Sequence, residues 1–311
     1  MPLSSFVALA LGVLCAGIGG ELFVRGAVGL ARWARISPGI IGATVAAFAT
    51  SSPELAVAVN AALDGTPQIA LGDALGSNVV NVALILALGL LISGIRSPRD
   101  TLRRDFPVAL LVPVITGLLL FDGVLSRSDG LLLLAVFIWW ILTTINAARR
   151  QRSAAGPVLG EHRHWLALGY GALGLGFLAA AGHFVVTGAQ GIAMAFGVDE
   201  FVIGATLVAL GTSAPELATV LIAKLRGHDE VGLGTILGSN IFNGLFITAV
   251  AAVISPIAMP WREAAVALTC GLLAVVCTWP GRDGYIGRRR GLLLLMLYGV
   301  YLAAVILSQA A

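Results

Sequence analysis

Ten apolar segments account for most of this chain and leave it few folds to choose from. They fall at about 5–31, 38–63, 67–94, 106–121 and 130–147, then at 165–189, 201–223, 230–255, 262–279 and 291–308. A membrane-crossing helix needs about 20 predominantly apolar residues, so ten spans and their short loops consume all 311 residues and leave no separate soluble domain. Charged residues make up only 11% and the mean hydropathy is +0.96, whereas about a quarter of a soluble domain is charged. The formal charge of +3 does not indicate nucleic acid as a partner, because the basic residues are scattered over short loops without interleaved aromatics. No basic residue precedes the first apolar run, so it reads as a span rather than a cleaved signal. Cys15, Cys270 and Cys277 lie unpaired in apolar segments and read as small hydrophobes.

The one long polar connection, 149–164, separates two groups of five segments, 1–148 and 165–311. Five is odd, so the second group enters the membrane from the opposite side. The expected fold is therefore an all-α polytopic membrane protein with ten transmembrane helices arranged as two inverted five-helix repeats. With the N-terminus outside, sixteen Lys and Arg residues fall in inner loops and only Arg127 and Arg262 fall outside, with Arg25 inside the first span. Basic residues accumulate on the cytoplasmic side, so both termini are expected outside and the 149–164 linker in the cytoplasm. Trp33, Trp139, Trp140, Trp165, Trp261 and Trp279 sit at or near span ends, as an interfacial aromatic belt requires.

The repeat is visible residue by residue. At a constant offset of 162, the stretch from Gly42 to Leu55 matches that from Gly204 to Leu217 at nine of fourteen positions. Gly20, Gly26 and Gly29 meet Gly182, Gly188 and Gly191, and the stretch Gly72 to Asn81 meets Gly234 to Asn243. Such duplication is the architecture in which transporters bind substrate near the midplane, between interrupted helices. Pro53 and Pro215 supply the interruptions, freeing carbonyls around Ala49 and Thr50 and around Gly211 and Thr212. Thr50, Ser51 and Glu54 share one helix face, as Thr212, Ser213 and Glu216 do. The neighbouring spans add Ser77 and Asn81, and Ser239 and Asn243, each pair one turn apart.

These oxygens suit a hard cation. Calcium takes six to eight oxygen ligands, two glutamates match its charge, and no Cys or His accompanies them to favour a soft metal. Small and hydroxyl residues also hold helices together without binding anything. Two intramembrane carboxylates in matched positions are too costly for that role alone.

The run Thr-Ser-x-Pro-Glu-Leu followed by Gly-Ser-Asn-x-x-Asn, present in both halves, resembles the alpha-repeats of the cation/Ca2+ exchanger superfamily, most closely its prokaryotic sodium/calcium exchanger branch. The resemblance implies a core of the second, third, seventh and eighth spans, across which the first and sixth slide. It implies a secondary-active antiporter, not an enzyme, that exchanges Ca2+ for Na+ by alternating access in a prokaryotic inner membrane. No cofactor and no obligate protein partner are expected. By matched position, Glu54 and Glu216 would be the principal Ca2+ ligands, with the backbone carbonyls of Thr50 and Thr212. Sodium would use Ser51, Ser77, Ser213, Ser239, the Thr212 hydroxyl and the backbones of Ala47 and Ala209, while Asn81 and Asn243 line the centre.

Some superfamily members carry Asp where this chain has Asn243, so the site here holds two carboxylates. They balance one Ca2+ or two monovalent ions, and a third sodium would leave a buried charge uncompensated. Buried glutamates also bind H+ directly, which makes H+/Ca2+ antiport the alternative, although the proton-coupled branch usually carries Gly-Asn-x-x-Glu in these spans. A passive cation channel would use glutamates similarly, but paired inverted motifs favour alternating access. A hydrolase built on Ser51 or Ser213 would need one nucleophile and one base, and the chain offers two equivalent sets without a nearby His. His162, His164 and His228 read as solvated loop residues, and Glu21, replaced by His183 in the second half, as the partner of Arg25 one turn on. Asp73, whose counterpart is Thr235, suits either attraction of cations at the outer mouth or a capping role. Arg288, Arg289 and Arg290 mark topology and contact anionic lipid.

Overall fold

Inside a bilayer the backbone must satisfy its own hydrogen bonds, and the apolar segments do so as helices. A computed structural model describes residues 2–65, 67–154, 164–195, 212–259 and 261–309. In chain order the helices are α1 (Pro2–Ala34), α2 (Pro38–Thr50), α3 (Ser52–Leu63), α4 (Pro67–Ile92), α5 (Arg99–Leu119), α6 (Arg127–Ala154) and α7 (His164–Ala195). They continue with α8 (Ala214–Leu225), α9 (Asp229–Ile254), α10 (Trp261–Cys277) and α11 (Arg288–Gln309). By length and composition α1, α4, α6, α7 and α9 can each cross a membrane, and α2 with α3 makes a sixth span, bent by 45°. The first part of the expected 201–223 span, with Ala209 and Gly211, lies outside the described residues, as does His162.

Helices α4 and α9 form the interior. Of their apolar stretches 78% and 83% are buried, against 17% for α6, whose Leu131, Leu132 and Trp139 face outward toward lipid. Glycine permits the closest approaches. A Cβ placed on Gly238 of α9 would lie 2.3 Å from the Ala43 carbonyl oxygen of α2, and one on Gly234 would lie 2.5 Å from the Gly39 carbonyl oxygen. The same device joins α1 to α7, where a Cβ on Gly26 would lie 2.5 Å from the Gly171 nitrogen and one on Gly174 2.5 Å from the Phe23 nitrogen. Small residues let membrane helices touch backbone to backbone. Glu21 of α1 pairs with Arg25, as expected, and also with Arg226 beyond α8 at 2.8 Å.

Four two-residue strands tie the helix ends together: β1 (Ile95–Arg96), β2 (Val124–Leu125), β3 (Ile257–Ala258) and β4 (Tyr285–Ile286). They pair antiparallel as β1 with β4, Ile95 opposite Ile286, and as β2 with β3, Leu125 opposite Ile257. β1 and β2 sit at opposite ends of α5, whose 21 residues span about 30 Å at 1.5 Å per residue. Since β1 follows α4 and β3 follows α9, helices α4 and α9 finish at opposite ends of α5. Arginines repeat the arrangement: Arg127 donates to the carbonyls of Val253 and Ile254, and Arg288 to that of Ile92.

Trp140 departs from its expected interfacial place. It is buried, and its indole N–H donates to Asp105 at 3.2 Å, where Arg104 also holds that carboxylate at 2.7 and 2.8 Å. The buried acid needs these donors, so it draws the indole inward. Trp33, Trp139, Trp165, Trp261 and Trp279 are exposed, as a belt requires.

Candidate functional site

Both motif copies break their helix at the same serine. Ser51 (φ −88°, ψ 10°) and Ser213 (φ −83°, ψ 6°) leave helical geometry, and each is followed by a helix with proline in its first turn. Proline is tolerated there because its missing N–H would be unpaired anyway. The break therefore sets Glu54 in the first turn of α3 and Glu216 in the first turn of α8. Thr50, Ser51, Glu54, Ser77, Asn81, Ser213, Glu216, Ser239 and Asn243 are all fully buried at 0% exposure.

Hydrogen bonds join the two copies. Ser51 Oγ, from the first, donates to Glu216 Oε1, from the second, at 3.2 Å. Ser239 Oγ donates to the same oxygen at 3.2 Å and lies 3.5 Å from the Thr50 hydroxyl. Thr50 Oγ1 donates to the Ala46 carbonyl at 3.0 Å, which leaves its lone pairs for another partner. The Ala47 carbonyl accepts from Ser51 N at 2.9 Å and, more weakly, from Thr50 Oγ1 at 3.4 Å. Thr212 is partly buried at the start of its described segment. The Ala49 carbonyl, expected to be freed by Pro53, is instead taken by Ser52 Oγ at 2.8 Å; the second copy has Ala214 at the matching position.

Two features beyond the expected set position these groups. Asn78 Nδ2 donates to the Asn240 carbonyl at 3.1 Å, and Asn240 Nδ2 returns a bond to the Asn78 carbonyl at 3.0 Å. Asn81 Nδ2 adds a bond to Asn240 Oδ1 at 3.2 Å. This reciprocal pair locks α4 to α9 at the level of the glutamates. The identity of Asn78 and Asn240 at the 162 offset was its only signal. Directly after it both helices widen into π turns, Val80–Leu86 and Phe242–Ile247, with Asn81 and Asn243 each second in its turn. Such turns recur at functional sites. Asn78→Ala should destabilise the protein by about 1–3 kcal/mol, the cost of stranding a buried polar partner. In a double-mutant cycle with Asn240→Ala, thermal unfolding should show the two losses to be strongly non-additive.

The site is rich in buried oxygens that no protein donor satisfies. Glu54 Oε1 and Oε2, Glu216 Oε2, Ser77 Oγ, Ser213 Oγ, Asn81 Oδ1 and Asn243 Oδ1 make seven. Buried polar atoms are normally paired, so these oxygens are left for a partner that the protein itself does not supply. Among the described residues no third carboxylate, His or Cys joins the two glutamates around one point. Hydroxyls and amides complete the set, which is hard-cation chemistry.

The sequence profile of the sodium/calcium exchanger protein family matches residues 4–146 and 166–307. The chain belongs to the sodium/calcium exchanger family. Its relatives include the inner membrane protein YrbG of Escherichia coli, 34% identical over 95% of this chain and 94% of that protein. The sodium/calcium exchanger MaX1 of Methanosarcina acetivorans is 26% identical over 97% and 98%. Among solved structures, the sodium-calcium exchanger NCX_Mj soaked with 2.5 mM Na+ and 10 mM Sr2+ matches with a TM-score of 0.85 at 30% identity, covering 97% of this chain and 99% of that one. This exchanger is thus a helical integral membrane protein of the prokaryotic branch, in a family that exchanges Ca2+ against another cation.

Proposed function

We propose that the protein exchanges Ca2+ for Na+ by alternating access through a single midplane site built from both motif copies. Glu54 and Glu216 carry the charge that matches one Ca2+. Thr50, Thr212, Ser51, Ser213, Ser77, Ser239, Asn81 and Asn243 surround them, with the backbones of Ala47 and Ala209. The observation that carries this reading is the Glu216 carboxylate accepting from Ser51 of the opposite copy at 3.2 Å, beside a Glu54 carboxylate with no donor on either oxygen. A desolvated cation is the partner such a group requires.

The ten spans form two inverted repeats, 1–148 and 165–311, joined by the linker 149–164. This is supported by the crossed strand pairing, by the reciprocal asparagines and by the antiparallel contact of α1 with α7. The α1–α7 pair, joined tightly where Gly26 meets Gly171 and Gly174 meets Phe23, is the unit that slides across the core. Both termini face outside and the linker lies in the cytoplasm, in keeping with the sixteen basic residues of the inner loops. The membrane is a prokaryotic inner membrane, the location in YrbG's printed name.

In proteoliposomes loaded with Na+ and diluted into Na+-free medium, 45Ca2+ should accumulate, and a sodium ionophore should abolish the uptake. Uptake driven by a pH gradient and indifferent to Na+ would put proton exchange in its place. Flux of Ca2+ with no counter-ion dependence would indicate a channel.

A further inference from the structure

The repeat is broken at one chemically conspicuous point. Asp73 of α4 stands where the second half has Thr235. Thr235 is self-contained: it is buried, and its hydroxyl donates to the Val231 carbonyl at 2.8 Å. Asp73 lies beyond the first turn of its helix and so caps nothing. Its Oδ2 is buried without a hydrogen-bond partner, and among the described residues no Lys, Arg or His pairs with it.

Its position on α4 gives the carboxylate a direction. Asp73, Ser77 and Asn81 are spaced four residues apart and share one face of the helix. Asp73 is thus one turn, about 6 Å of axial rise, from the unpartnered Ser77 hydroxyl, on the side of the α3–α4 turn. It does not group with both glutamates around one ion. Asp73 is thus a half-buried acid, with one buried oxygen unpartnered, that neighbours the site without being part of it.

We propose that Asp73 forms a second cation station, an approach site for Ca2+ or Na+ on the side of the α3–α4 turn, from which the ion passes along the α4 face by way of Ser77 to Glu54. The station exists on one side only, so it makes the two faces of an otherwise symmetric exchanger unequal in apparent affinity. The inference rests on the ion-exchange reading above.

Asp73→Thr installs the residue tolerated at the matched position and removes a half-buried carboxylate with an unpartnered oxygen, so the variant should melt no lower than the parent protein. Ca2+ uptake would be measured in right-side-out and in inverted membrane vesicles under an opposing Na+ gradient. The half-saturating Ca2+ concentration should rise about three- to tenfold at one face, as expected for loss of one nearby charge, and stay within about twofold at the other; the maximal rate should hold, and Asp73→Glu should restore affinity. An unchanged affinity at both faces, or an equal loss at both, would overturn the proposal while leaving the central site standing. Absence of gradient-driven exchange in the parent protein would overturn both.

Discussion

Glu54→Gln should abolish Ca2+ transport and leave the protein folded. Neither Glu54 oxygen accepts a hydrogen bond from the protein, although the residue is fully buried. The carboxylate therefore contributes nothing to the fold that an amide of the same shape cannot supply, and removing its charge relieves a desolvation cost. The same change deprives Ca2+ of one of two charges in a low-dielectric site. Breaking a buried ionic partnership costs about 3–5 kcal/mol, which is a loss of roughly 10²- to 4 × 10³-fold in affinity. Thermal stability should stay level or rise while 45Ca2+ uptake falls to background. Glu216→Gln should lose transport equally, because the amide oxygen can still accept from Ser51 and Ser239 but carries no charge. Loss of folded protein in Glu54→Gln, with no activity to lose, would mean that the acid is structural.

The opposite outcome is expected at Gly238. Gly238→Ala places a methyl group 2.3 Å from the Ala43 carbonyl oxygen and 2.6 Å from the Ala43 Cα, both backbone atoms on α2. A flexible side chain could move aside, but here two helices must separate. Overpacking a close-packed interior costs about 1–3 kcal/mol, and the upper end applies where backbone meets backbone. The separation also occurs beside Ser239, so it draws that hydroxyl away from Glu216 and Thr50. The variant should show a clearly lowered melting temperature together with weakened Ca2+ binding. A matching change at Gly169, where nothing lies within 4 Å of an added Cβ, should do neither.

The contrast between these two positions shows how much of the molecule the sequence exposes. The glutamates were legible because a carboxylate in an apolar run has few innocent explanations, and because each recurs with its proline, serine and threonine at one spacing. Helices α1, α4, α6, α7 and α9 were legible as spans by length and hydropathy. The lock between Asn78 and Asn240 was not, because the residues look like connecting letters within a motif until two helices are brought face to face. The π turns after them have no residue signature, since a turn widened by one residue uses the same apolar side chains as an α-helix. The two-residue strands are too short for an alternating pattern to register. Trp140 misled because an interfacial tryptophan and one drawn in by a buried acid read alike in sequence, and only the packing of α5 on α6 distinguishes them. The Ala49 carbonyl misled for a local reason: proline removes its usual donor, but the adjacent Ser52 hydroxyl replaces it at 2.8 Å.

The central claim is that the two motif copies form one site rather than two. Equilibrium 45Ca2+ binding to the purified protein, titrated with Na+, tests it directly. One Ca2+ should bind per chain and be displaced by Na+, and both Glu54→Gln and Glu216→Gln should each eliminate that binding. Two Ca2+ per chain, with each single substitution removing one and sparing the other, would contradict the account.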